Sequence, residues 1–393
     1  MSRAFRVTRP ADGSVPAPRR RVSRARAAGS DAPRAGAPGT GAGVLPHARH
    51  ARTAGPRPPA LAATAAIALG CAAGLLVLVG QLSGSTRVFP GEVALAFVLA
   101  AATLGFGFWL FRRIRPVRAP DPLPCATAAL WGLTAATGAG VIANSALGGA
   151  WSAVLGLDLA TAWGAALTAP FNEELLKLAG VVLVAVAFPR ALRGPADGFV
   201  LGALAGLGFE VTENLIYAVS AIVESGATAG ALSVVQSTVL RVGLTGLGSH
   251  WAMTAVAGTA VGLLTPVAWR PGPRRAAAAT GLVLLAMAMH WLLDAPLFGN
   301  TVLVIMAKVL VIFAAAMLVY LAARWDHRRR VRAALAAGGA AAGLPRSASL
   351  ALASRGGRRR ELRRSTPGEL AGVQDRQRRL LDDAEDAAAH LAG

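Results

Sequence analysis

Four short runs place ionisable and hydrogen-bonding side chains inside otherwise apolar sequence. FNEELLKLAG carries Glu173, Glu174 and Lys177; GFEVTENLIY carries Glu210, Glu213 and Asn214; SHWAMTAVAG carries His250 and Thr254; MHWLLDAP carries His290 and Asp294. Carboxylates beside imidazoles are the parts of a hydrolytic site. A Glu takes a proton from water, a His positions that water or binds a metal, and a His or Asn stabilises a developing oxyanion. Two histidines with one Glu also satisfy a catalytic zinc with one open position. The HExxH spacing is absent, so zinc and a metal-free, glutamate-activated water both stay open on chemistry alone.

The elements that must carry these residues follow from composition. Over half the chain is apolar, and long apolar runs follow one another, which is the pattern of an all-α, polytopic membrane bundle. Stretches of about twenty apolar residues cross the hydrocarbon, and eight are expected, at 60–82, 91–111, 126–148, 165–188, 198–223, 243–266, 276–296 and 301–323. At 150–170 the chain reads as either a kinked extension of the fourth helix or a re-entrant piece ending at Pro170. Each ionisable group near mid-membrane costs roughly 2.5–3.5 kcal/mol, so the four polar runs demand a purpose. Their members are related by i, i+3 or i, i+4, which gives each helix one polar stripe. At about 1.5 Å per residue, Glu173, Glu210, Glu213, His250 and His290 fall in one layer roughly 18–24 Å from the cytoplasmic ends. The stripes are therefore expected to converge on a wet cavity in the outer half of the bilayer.

Orientation comes from the arginines. With the N-terminus inside, the inner loops hold Arg112, Arg113, Arg115, Arg118, Arg190, Arg193, Arg270, Arg274 and Arg275, and the outer loops only Arg87 and Arg241. That bias places both termini in the cytoplasm and explains the formal charge of +20 without nucleic acid. Residues 1–58, with twelve Arg and two Asp among Pro, Gly and Ala, read as a disordered arm. Residues 59–325 form the transmembrane domain, and 326–393 a basic tail with a short amphipathic helix ending near His390. Anionic lipid headgroups are the expected partner of both Arg-rich tails. Cys71 and Cys125 fall in apolar segments and read as buried thiols. Gly202, Gly206, Gly208, Gly258 and Gly262 read as sites of close helix approach. Lys308 reads as a salt-bridge partner for one of the acids, Lys177 as the charge partner of the Glu pair, and Thr254 as a packing residue.

Taken in order, EELLK, FEVTEN, HWAMT and HWLLD resemble the motifs EExxK, FExxEN, HxxxT and HxxxD of the PrsW-type intramembrane proteases, distant relatives of the membrane-embedded CAAX prenyl proteases. The resemblance covers about residues 170–295. It implies an intramembrane endopeptidase of the cell membrane that cuts a single-span protein, in bacteria an anti-sigma factor, on its extracytoplasmic side. By position, Glu173 and Glu174 match the paired acids, Glu213 and Asn214 the second motif, and His250 and His290 the histidines. The mechanism expected on that basis has Glu173 or Glu174 activating water, with His250 and Glu213 orienting it or completing a metal site. His290, held by Asp294, is the second metal ligand or an oxyanion donor, so the expected metal set is His250, His290 and Glu213. The alternative reading is a proton-coupled transporter or channel using the same acid and histidine layer.

Overall fold

The computed structural model describes residues 58–265, 272–299 and 301–390. The Arg-rich arm expected over 1–58 lies, apart from Pro58, outside the described residues. Among the described residues the fold is all-α, with no strand. Seven rods are long and apolar enough to cross a membrane: α1 (Pro58–Val88), α2 (Pro90–Ile114), the joined pair α3 (Pro122–Trp131) and α4 (Thr137–Leu155), α6 (Pro195–Glu224), the pair α7 (Gly230–Thr238) and α8 (His250–Leu264), α9 (Pro273–Asp294) and α10 (Val302–Ala341). An eighth rod, α5 (Leu157–Ala187), has 31 residues, but its middle holds Glu173, Glu174 and Lys177. The protein is a polytopic helical membrane bundle.

Two stretches differ in detail from the apolar pattern. Between α4 and α5 the chain turns at Gly156, whose φ of 79° suits a residue without Cβ. α5 then runs unbroken through Pro170 to Ala187, so 157–170 is an extension of the fourth expected helix, 165–188, and not a re-entrant piece. The sixth span, expected as one helix over 243–266, is interrupted. A wide-turn segment at Val239–Thr245 and a tight turn at Gly246–Gly248 precede α8. Gly248 lies against the Val309 carbonyl of α10, where a side chain has no room, and the Trp251 indole donates to the Gly246 carbonyl at 2.6 Å. Packing against α10 thus overrides the local helix preference, and His250 sits at the very start of α8.

α6 is the central rod, buried almost throughout from Pro195 to Leu215. Its Gly198, Gly202 and Gly206, four residues apart, let it touch the α8 backbone at Gly258, Thr254 and His250. Gly208 meets the α3 backbone in the same way. Contact this close is how membrane helices associate when lipid is as apolar as their own side chains. Here it sets α6, the carrier of Glu210 and Glu213, beside α8, the carrier of His250. Cys71 and Cys125 are buried and unbridged.

α10 does not stop at 325 but continues to Ala341. It is followed by α11 (Arg346–Ala351), α12 (Arg355–Arg364) and α13 (Leu370–His390), the last being the amphipathic helix expected near His390. Leu381, Ala384 and Ala388 of α13 pack on Val331, Leu335, Leu352 and Val117. Beside them Glu385 is buried among arginines: Arg115 at 2.8 Å, Arg118 at 2.8 Å and Arg193 at 2.8 Å. Arg115 also holds Asp197, at the foot of α6, at 2.5 Å. Burial alone would push the Glu385 carboxyl up, but the Arg115 and Arg118 guanidinia outweigh it and hold the group at about 2.

Candidate active site

The four polar stripes meet around one cavity of about 440 Å³, whose walls include Glu173, Glu213, Asn214, His250, His290 and Asp294. α5 contributes the two acids of its EE pair, and they have different surroundings. Glu174 is saturated. Its Oε1 accepts from Lys177 Nζ at 2.6 Å and from His290 Nδ1 at 3.0 Å, and its Oε2 accepts from the Thr254 hydroxyl at 3.0 Å. Glu173 is only half engaged. Asn144 Nδ2 donates to its Oε1 at 2.9 Å, while its buried Oε2 has no hydrogen-bond partner. That oxygen lies 3.8 Å from His250 Nδ1, 3.8 Å from His290 Nε2 and 3.8 Å from Lys177 Nζ.

The imidazoles are oriented by their other contacts. The Lys177 ammonium lies 3.0 Å from His250 Nδ1, and because it can only donate, Nδ1 is the acceptor. The proton is then on Nε2, which donates to Glu213 Oε2 at 2.9 Å. His290 Nδ1 donates to Glu174, leaving Nε2 toward Asp294 at 3.4 Å. The two rings meet edge to face, with centroids 5.0 Å apart. Both tautomers follow from partner chemistry.

Glu213 and Asn214 share a partner that the motifs do not contain. Arg241, on the irregular segment before α8, donates from Nη2 to Glu213 Oε2 at 2.5 Å and from Nε to Asn214 Oδ1 at 2.5 Å, and stacks 3.9 Å from the centre of the Tyr217 ring. By sequence Arg241 counts as an outer-loop charge, and only the fold brings it inward. Asn144, held in turn by Asn172 Nδ2 at 2.7 Å, was equally hidden. An Asn inside the apolar third span was the one available signal. Thr254 does more than pack, since its hydroxyl is bound to Glu174. Lys308 does not act as expected: among the described residues it makes no salt bridge, and it donates to the Ala295 carbonyl at 2.5 Å. The backbone freed at the end of α9 captures it.

Three of these groups can hold a metal ion. One ligand atom each from Glu173, His250 and His290 lies within 4.8 Å of the others, all three residues being buried. The carboxylate in this set is Glu173 rather than the expected Glu213, which lies at the opposite nitrogen of His250. The donor set, two imidazole nitrogens and one carboxylate oxygen, is that of catalytic zinc. Zinc ligands at about 2.0–2.1 Å stand about 3.4 Å apart, so the 3.8 Å separations need to contract only slightly. The unpartnered Glu173 Oε2 is the atom that fits such an ion. Lys177 would give up its contact with His250 Nδ1.

A family model described as PrsW family intramembrane metalloprotease matches residues 122–323. Neither the curated proteins nor the solved structures include a match.

Proposed function

Because the chain belongs to the PrsW family of intramembrane metalloproteases, we propose that it hydrolyses a peptide bond of a membrane-anchored protein in the cavity between α5, α6, α8 and α9, with Glu173 as the general base. The observation that carries this reading is the Glu173 Oε2 atom, buried, unpaired and facing two imidazole nitrogens at 3.8 Å. A buried carboxylate oxygen without a partner is costly, and a water in front of it relieves that cost and becomes the nucleophile.

In this scheme Asn144 holds Oε1 and leaves Oε2 to take the water's proton. The hydroxide formed attacks the scissile carbonyl carbon. Glu173 then returns the proton to the departing amine. His290, fixed by Glu174 through its Nδ1–H, turns an unprotonated Nε2 to the cavity, and the Lys177 ammonium, 3.8 Å from the base, is the cation available to the oxyanion. Glu174 is a positioning residue, since both of its oxygens are already committed. Glu213, pinned by Arg241, fixes the His250 ring so that Nδ1 points inward. Zinc held by Glu173, His250 and His290 would supply Lewis-acid polarisation and a more acidic water at the same point, and Glu173 Oε2 would then be a ligand in place of the base.

The substrate we infer is a single-span protein, an anti-sigma factor being the class the family resemblance implies. The arginine distribution favours a site in the outer half of the cell membrane, with both termini inside. The test is cleavage of a single-span substrate by the purified protein in proteoliposomes, wild type against Glu173→Gln. Cleavage that survives in the variant sinks the assignment of the base, and ion flux without cleavage in the wild type favours a transporter instead.

A further inference from the structure

α10 carries an amphiphilic stripe that the catalytic reading does not use. Its 40 residues extend about 60 Å at 1.5 Å per residue, twice the hydrocarbon thickness of about 30 Å. About half of the helix therefore projects beyond the hydrocarbon. Along one face, Leu303, Leu310, Leu318 and Leu321 are exposed, as a lipid-facing surface is. The same stripe continues at spacings of three and four into Trp325, Arg328 and Arg332, with Arg324 and Arg329 on its flanks. The change from leucine to arginine comes about twenty residues into the helix, where the hydrocarbon ends.

Leu321, Arg324, Trp325, Arg328, Arg329 and Arg332 together line a surface hollow of about 500 Å³. Among the described residues none of its four arginines has a carboxylate partner. Arg324 Nη1 donates to the Tyr320 hydroxyl at 3.0 Å, and the Arg329 guanidinium lies 5.4 Å from the centre of the Trp325 ring, both neutral contacts. Arg330, on the other side of the helix, pairs with Asp326 at 2.6 Å. Asp382, Glu385 and Asp386 of α13 are used elsewhere, around Arg115, Arg118 and Arg193. Four uncompensated guanidinia, a tryptophan at the interface and an apolar strip leading away from them match one amphiphile in charge and in shape.

We propose that this hollow is a discrete binding site for an anionic phospholipid, with the headgroup phosphate on Arg324, Arg328, Arg329 and Arg332 and an acyl chain along Leu318 and Leu321. Guanidinia bind phosphate oxygens in pairs and are weakly hydrated. The apolar strip adds what free phosphate lacks. This goes beyond diffuse attraction of basic tails to a charged leaflet, because it names one site and assigns the arginines of α12 no part in it.

The test is native mass spectrometry of the full chain, titrated with phosphatidylglycerol and, separately, phosphatidylcholine. The variants are Arg324, Arg328, Arg329 and Arg332→Gln together, and as a control of equal charge Arg359, Arg360, Arg363 and Arg364→Gln. The wild type is expected to retain phosphatidylglycerol in preference to phosphatidylcholine. The α10 variant is expected to lose about a thousandfold in affinity, given about 1 kcal/mol per arginine, and the α12 variant to keep it. Equal loss in the two variants, no headgroup preference, or displacement by equimolar inorganic phosphate each overturns the proposal.

Discussion

Glu173 and Glu174 are neighbours in the chain, yet substitutions at the two are expected to fail in different ways. Glu173→Gln removes the base and keeps the shape, so kcat is expected to fall by about 10²–10⁴ with little change in thermal midpoint. Glu174→Ala strips Lys177 of its 2.6 Å partner and His290 of its anchor. Breaking a buried pair costs about 3–5 kcal/mol, so this variant is expected to lose thermal stability as well as activity. Equal unfolding of both variants would contradict the division of labour. Arg241→Gln is expected to lower kcat with KM nearly unchanged, because it releases Glu213 and with it the His250 ring. Arg241→Lys is not expected to rescue it, since one ammonium cannot span both Glu213 and Asn214 as the guanidinium does.

Helices deliver these residues, and each junction has its own weakness. Gly202 lies on the α8 backbone at Thr254. Gly202→Val is therefore expected to push α6 from α8, destabilise the bundle by about 1–3 kcal/mol and misplace Glu213 against His250. The measurement is thermal inactivation beside cleavage rate. At the other end, α13 is held by a carboxyl whose folded value is depressed to about 2. The stability it contributes is present above the unfolded value and is lost as pH falls toward the folded one. Protection of α13 in hydrogen exchange is expected to persist at neutral pH and to decay between about pH 4 and pH 2. Glu385→Gln is expected to abolish that protection at neutral pH.

For the molecule as a whole, metal content separates two forms of the same hydrolysis. If zinc is held by Glu173, His250 and His290, the purified protein is expected to carry about one equivalent, and His250→Ala or His290→Ala to lose it. A chelator would then stop cleavage and zinc restore it. Full activity in metal-free protein would instead assign the reaction to Glu173 and its water alone. Glu213→Gln is informative here, because Glu213 is not among the three residues placed to hold an ion and its loss is expected to leave metal bound.

Sequence alone specifies a helical membrane bundle, because apolar runs of spanning length admit almost no other fold. It also picked out the acids and histidines, because each is too costly in lipid to be incidental. EELLK could not say which Glu is free, since that depends on whether Lys177, His290 and Thr254 from three helices close on one carboxylate or the other. Nor could it find Asn144 and Arg241, which belong to no repeated spacing and reach the site only through the turn at Gly156 and the break before His250. Helix packing settles these points, because hydrogen-bond partners in a bundle come from neighbouring helices, and the close glycine contacts of α6 choose those neighbours.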